Sequence, residues 1–192
     1  LTPYVAGTFG GGFSAYYYGY NGDLGQNGPQ YTEDDFGLDY TFEVGKMSLT
    51  LGAVAYTYRD PKEYEDLDTT ELYAIAAFDT LLAPKISYWH DIDLYDAGYL
   101  QLAVSHTWDV GRGVSVVPSA ALGVSLGWTA KVFDHARDQQ LNDFLVGVNV
   151  PWQINDDFAV HMQYQYSFAL AALDDVDQGD ENTWIVGGSF TF

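Results

Sequence analysis

The sequence predicts an all-β protein, an antiparallel up-and-down transmembrane β-barrel of about 12 strands, since bacterial single-chain barrels carry even numbers. Three observations carry that expectation. Apolar residues recur at every second position in segment after segment, the period of a strand with two unlike faces. The connections between segments alternate between short and long. The polar face carries Gly, Ser, Thr, Gln, Asn and isolated acids, where a water-facing surface would carry Lys, Arg and Glu.

Composition sets the outer limits. The 192 residues suffice for a single barrel domain over residues 1–192. A formal charge of −20 excludes nucleic acid as a partner, because the phosphate backbone would be repelled. With no Cys there is no disulfide framework, thiolate metal site or cysteine nucleophile. No apolar run reaches the roughly 18 residues of a transmembrane helix. No export signal precedes the strands, so the sequence is read as a processed or trimmed form.

Residues 1–9 read as a short strand, Gly10-Gly11-Gly12 as a tight turn, and residues 13–21 as a Tyr-rich strand, the alternative being one strand kinked at the glycines. A loop through Asn21-Gly22, Gly25 and Asn27-Gly28-Pro29 follows. From Asp35 the alternation is clean: Phe36, Leu38, Tyr40 and Phe42 oppose Asp35, Gly37, Asp39, Thr41 and Glu43. A turn at Gly45-Lys46 leads to a strand at 48–58, an acidic loop at 59–68, and a strand at 71–79 that groups Leu72, Ala74, Ala76 and Phe78. Strands at 85–93 and 99–108 come next, then the turn Gly111-Arg112-Gly113. The strand at 114–128 contains Pro118, tolerated only at an edge, a bulge or a non-donating position.

After a long loop at 131–142, the strand at 143–152 sets Phe144, Val146, Val148, Val150 and Trp152 against Gly147 and Asn149. The strand at 158–168 sets Val160, Met162, Tyr164 and Tyr166 against His161, Gln163, Gln165 and Ser167. A loop at 170–182 precedes the last strand, and no segment has helical periodicity. This gives eleven strands, so a twelfth is expected upstream of Leu1; ten is the alternative if residues 1–21 are one strand.

Short connections fall near Gly11, Lys46, Ala83, Arg112 and Asn155, and long ones near Gly25, Glu63, Asp138 and Val176. One end of the barrel then carries turns and the other loops, as in outer-membrane barrels with periplasmic turns and extracellular loops. Lys46, Lys85 and Arg112, three of seven basic residues, sit at the turn side, while acids crowd the loop side. Trp108, Trp152 and Phe192 near the turn ends, with Trp128, Phe144, Phe168 and Trp184 near the loop ends, form the two expected interfacial girdles.

The final strand places Trp184, Val186, Gly188, Phe190 and Phe192 on one face. An aromatic last residue with alternate apolar positions before it resembles the C-terminal signal that the barrel-assembly machinery reads, with Trp184, Val186, Phe190 and Phe192 carrying it. A final core strand of a soluble domain is the competing reading. Further stretches, Leu1-Thr2-Pro3-Tyr4-Val5, Gly12-Phe13-Ser14-Ala15, Tyr56-Thr57-Tyr58, Thr70-Glu71-Leu72-Tyr73, residues 84–93 and Gly98-Tyr99-Leu100, resemble the Gcw_chp-like family of uncharacterised Gram-negative outer-membrane β-barrel proteins. The resemblance is pattern-like, contains no catalytic signature, and implies a barrel.

The inward set comprises Asp35, Asp39, Glu43, Glu71, Asp79, Lys85, Asp91, Asp93, Gln101, Asn149, His161, Gln163 and Gln165. It reads either as an acidic lumen that favours cations or as groups that bond to one another across a narrow interior; ten to twelve strands lie between filled barrels and open channels. Asp174-Asp175-Val176-Asp177-Gln178-Gly179-Asp180-Glu181 has calcium-loop character without EF-hand spacing, so the cation expectation is limited to Ca²⁺ or Mg²⁺ held loosely at the acidic loops, shared with lipopolysaccharide, with no dedicated metal site or cofactor. Omptin-like proteases use acids with a His, and lipid A deacylases a Ser with a His. Here Ser105-His106 and His90-Asp91 are strand neighbours on opposite faces, and Asp134-His135 lies in a loop, so no catalytic residues are expected. The expectation is a non-enzymatic bacterial outer-membrane barrel, with termini periplasmic and acidic loops extracellular. It acts as a narrow porin-like passage for ions or small solutes, or alternatively as a non-conducting barrel whose acidic loops bind a partner or divalent cations. Outer-membrane lipid, lipopolysaccharide and the assembly machinery are the expected partners; oligomeric state is not readable.

Overall fold

A computed structural model describes residues 4–23, 30–59, 67–132 and 139–190. They form β1 (Tyr4–Thr8), β2 (Phe13–Asp23), β3 (Gln30–Val44), β4 (Met47–Arg59), β5 (Thr69–Phe78), β6 (Lys85–Asp91), β7 (Ala97–Ser105), β8 (Trp108–Gly111), β9 (Val114–Leu126), β10 (Gln139–Gln153), β11 (Phe158–Ala169) and β12 (Glu181–Phe190). All twelve belong to one sheet whose strands follow one another in chain order, with β7 and β8 both beside β9. Pairing is antiparallel from β1–β2 through β11–β12 wherever the register is defined. Two compact units divide the chain, Leu1–Ala76 with Ser87–Gly98, and Ala77–Ile86 with Tyr99–Phe192.

Three sequence expectations need correction. Residues 1–21 are not one kinked strand: β1 and β2 pair from Tyr4↔Tyr18 to Thr8↔Ser14 around a 3-10 turn at Gly10–Gly12, which removes the ten-strand alternative. The strand expected at 99–108 is broken into β7 and β8, and Pro118 on β9 is the cause. Its carbonyl accepts the His106 N–H at 3.2 Å, but it has no N–H to return, so the ladder lapses between the Ser105↔Ser119 and Trp108↔Val116 pairs. Eleven segments thereby become twelve strands in eleven positions across the sheet. Two helices also occur within the connections, α1 (Trp128–Val132) and α2 (Ala171–Asp174). At five and four residues they are too short to print a 3.6-residue period. Trp128 consequently opens α1 and does not end a strand.

The sheet inverts the exposure of a soluble protein. Along β3, Phe36 and Leu38 are 55% and 57% exposed, while the alternating Asp35 and Gly37 are buried. Leu51, Leu72, Leu102, Val104, Phe144, Met162 and Phe168 are exposed, and Val186 reaches 79%. Meanwhile, on the polar face, Asp91 is 1% exposed, and Glu71, Ser87, Ser125 and Asp143 are buried. In water this arrangement would cost both ways, through uncovered apolar area and desolvated charge. In hydrocarbon it is the stable one, because strands can cross a bilayer with their backbone groups paired laterally. No helix among the described residues is long and apolar enough to cross a membrane.

Candidate functional site

In the first unit, the polar face is held by hydroxyls that reach carboxylates across the strands. Asp39 lies between Ser14 on β2 and Gly52 on β4. Ser14 donates to one of its oxygens, and Tyr73, reaching over from β5, donates to the other at 2.9 Å. The reach depends on Gly52, since any Cβ there would occupy the space of the Tyr73 ring. Tyr56 donates to Glu71 at 2.8 Å. Thr69 donates to Asp91 Oδ2 at 2.6 Å, while Asp91 Oδ1 accepts the N–H groups of Asp93 and Tyr95 at 3.0 and 2.9 Å. Asp91 therefore fastens the β6–β7 connection. There, burial and the nearby Asp91 charge raise the Tyr95 phenol above its ordinary value.

Asp34 belongs to the opposite face. It accepts from Tyr17 at 2.5 Å and is clamped by the Arg59 guanidinium. Asp35 keeps one buried carboxyl oxygen without a hydrogen-bond partner among the described residues.

The second unit repeats the device. Tyr99 on β7 crosses Gly123 on β9, where a Cβ would again meet the ring, and donates at 2.7 Å to Asp143 on β10, the residue in register with Gly123. A bulge at Asn142 turns its amide onto the same oxygen at 2.8 Å, and Asn142 accepts from Thr129 at 2.6 Å. The Thr129 N–H donates to Ser125 at 2.9 Å, which pins α1 to the sheet. Further along this face the side chains shrink. Ser105, Ser119, Gly147 and Gln165 form one row across β7, β9, β10 and β11, flanked by Ala103 and Ala121. Their small volume leaves a cavity of about 480 Å³ that Lys85, Gln101 and Gln163 also line. On the other face an apolar groove of about 290 Å³ runs between Ile86, Leu102, Leu122 and Phe144.

The inward set distributes unevenly. Asp35, Glu71 and Asp91 are buried; Asp39, Gln101, Asn149, His161, Gln163 and Gln165 are half-buried; Glu43, Lys85, Asp79 and Asp93 are exposed, the last two in connections beyond the strands. The Asp91, Asp39 and Glu71 groups come together with Tyr and Thr hydroxyls, whereas Lys85, Gln163 and Gln165 come together around the cavity. Of the aromatics, Trp108, Phe144, Trp152, Phe168 and Trp184 are exposed, and Phe192 lies outside the described residues. Of the terminal-signal residues, Val186 and Trp184 are exposed and Phe190 ends β12.

The histidines meet other partners than the neighbouring Ser and Asp. His90 approaches Tyr88 at 3.0 Å and Asp96 at 3.3 Å, and His106 donates to the Leu81 carbonyl at 2.8 Å. Asp134-His135 lies outside the described residues. In the acidic stretch after β11, Asp175 accepts from Gln140 at 2.9 Å and Asp180 from Tyr166 at 3.0 Å. No group of three metal-ligating side chains occurs among the described residues. Sequence reasoning missed Tyr99, Ser125, Thr129, Asn142 and Asp143. A glycine standing in register with an acid marks these sites, but register is fixed by distant strands.

No family model matches the chain, so the Gcw_chp-like resemblance is carried by the quoted motifs alone. No curated protein matches either. Among solved structures the chain is similar to the NanC porin, with a TM-score of 0.57 and 11% identity over 100% of this chain and 98% of that one. At that identity the likeness is one of fold, and the fold is an antiparallel, porin-like β-barrel.

Proposed function

We propose that this chain is a bacterial outer-membrane barrel that provides a narrow passage for ions or small solutes and performs no chemistry. The observation that carries the reading is the inverted exposure of the sheet, apolar residues outward and Asp, Glu, Asn, Ser and Thr buried. The fold likeness to a porin supports it. In this reading the turn side faces the periplasm, the acidic loops face outward beside lipopolysaccharide with Ca²⁺ or Mg²⁺ between them, and the assembly machinery reads the β12 end. Carboxylates on the first unit's polar face favour cations over anions. Planar-bilayer recording of the purified chain tests the passage: discrete channels with cation preference are expected, and silence from correctly folded protein or anion preference would overturn it.

A second reading, a non-conducting barrel that works through its acidic loops, is favoured by one specific observation. Asp39, Asp91 and Asp143 each already accept two or more hydrogen bonds, as in a filled interior.

A further inference from the structure

We infer that the cavity of the second unit is a binding station for an uncharged, polyhydroxylated solute of small-sugar size, an inference that rests on the passage reading and names the solute class it selects. Four features point there. The volume of about 480 Å³ falls within the roughly 300–1,000 Å³ of small-ligand sites. It exists because the row through Ser105, Ser119 and Gly147 carries almost no side chain, and long side chains stand around that gap. Those side chains are Gln101, Gln163 and Gln165, whose amides each donate and accept hydrogen bonds. A hydroxyl group also does both, so a ring of amides and serine hydroxyls matches a polyol at every contact without requiring a fixed orientation.

The fourth feature is charge. No carboxylate lines the cavity among the described residues, although the chain carries 27 acids. An amine-bearing solute therefore finds no counter-charge there and meets the Lys85 ammonium instead. An anionic solute finds that one ammonium but must approach a protein of net charge −20. Lys85 has no ion-pair partner among the described residues, so its three N–H groups are available to sugar hydroxyls. Gln163 and Gln165 touch each other only through a long 3.4 Å contact, leaving most of their bonding capacity for a solute. Ala77, Ala103 and Leu145 supply the apolar wall that a sugar's C–H faces need.

The test is isothermal titration of the detergent-solubilised full chain with glucose, glucosamine and glucuronate as probes, run beside bilayer recordings in which glucose is added to the bath. Heat-modifiable gel migration certifies that each variant is folded. Saturable glucose binding is expected, with glucosamine and glucuronate weaker. The Gln163→Ala/Gln165→Ala double variant should weaken glucose binding about tenfold, as loss of two hydrogen bonds implies. Ser119→Leu, which fills the cavity from a different strand, should abolish it. Absence of saturable glucose binding, tighter binding of glucosamine or glucuronate, or unchanged affinity in folded variants would overturn the station. Channels without glucose binding would sink the station and leave the passage. Glucose binding lost in the variants without channels would sink the passage and leave the station.

Discussion

The polar faces of the two units start from one device and end differently. In each, a tyrosine lies across a glycine on the next strand and donates to an aspartate one strand further, Tyr73–Gly52–Asp39 in the first and Tyr99–Gly123–Asp143 in the second. The first unit then fills the rest of its face with more phenols and carboxylates, Tyr56 on Glu71 and Thr69 on Asp91. The second turns to Ala, Ser and Gly and leaves a cavity. Polarity is common to both, so side-chain volume decides which face is closed and which has room for a solute. A buried carboxylate is tolerable only while its hydrogen bonds are made, and the glycines allow the phenols to make them.

The comparison breaks most readily at the glycines. Gly52→Val and Gly123→Val should each displace the crossing tyrosine and strand its aspartate, at a cost of about 2–4 kcal/mol. Urea titration of refolded protein in lipid vesicles reads this as a lower midpoint. If one of the two is silent, the device is not shared. Removing only the hydroxyl sharpens the point. Tyr73→Phe leaves Asp39 Oδ2 bare, whereas Tyr99→Phe leaves Asp143 Oδ1 still bonded to Asn142. Both should destabilise by about 1–3 kcal/mol, with Tyr73→Phe the larger. Equal midpoints would mean that Asn142 contributes nothing.

A difference in volume predicts a difference in conductance. Ala121→Phe, on the wall of the cavity, should lower single-channel conductance, whereas Asp39→Asn should leave conductance nearly intact and shift the reversal potential away from cations. Smallest in effect is the alkaline limit. The Tyr95 phenol sits above its ordinary value of 10 because burial and Asp91 disfavour the phenolate. Its folded form thus contributes stability that is complete below about pH 10 and lost as pH rises through the folded value. Tyr95→Phe should flatten that alkaline loss, measured as the urea midpoint across the alkaline range.

Much of this architecture was readable from local pattern. The run Phe36, Leu38, Tyr40 against Asp35, Gly37, Asp39 announced both the strand and its faces, because a period of two is written in neighbouring residues. Its strand partners were not readable: that Tyr73 meets Asp39, 34 residues away, depends on the registers of β3, β4 and β5. The break between β7 and β8 was hidden for the same reason, since Pro118 acts on the strand beside it. The two short helices left no periodic trace. Asp91 shows the limit for function: its position on the polar face was legible, while its work in tying the β6–β7 connection required the fold.

The most direct measurement exploits a chain that has no Cys of its own. Single cysteines at positions 35 to 40, introduced as Asp35→Cys through Tyr40→Cys, carry spin labels in reconstituted vesicles. Collision with dissolved oxygen, which concentrates in hydrocarbon, is compared with collision with a water-soluble nickel chelate. A membrane-spanning strand with an outward apolar face predicts oxygen accessibility that peaks at Phe36, Leu38 and Tyr40 and falls at Asp35, Gly37 and Asp39. Equal nickel accessibility at Phe36, Leu38 and Tyr40, as on a water-exposed sheet, would contradict the account at its base.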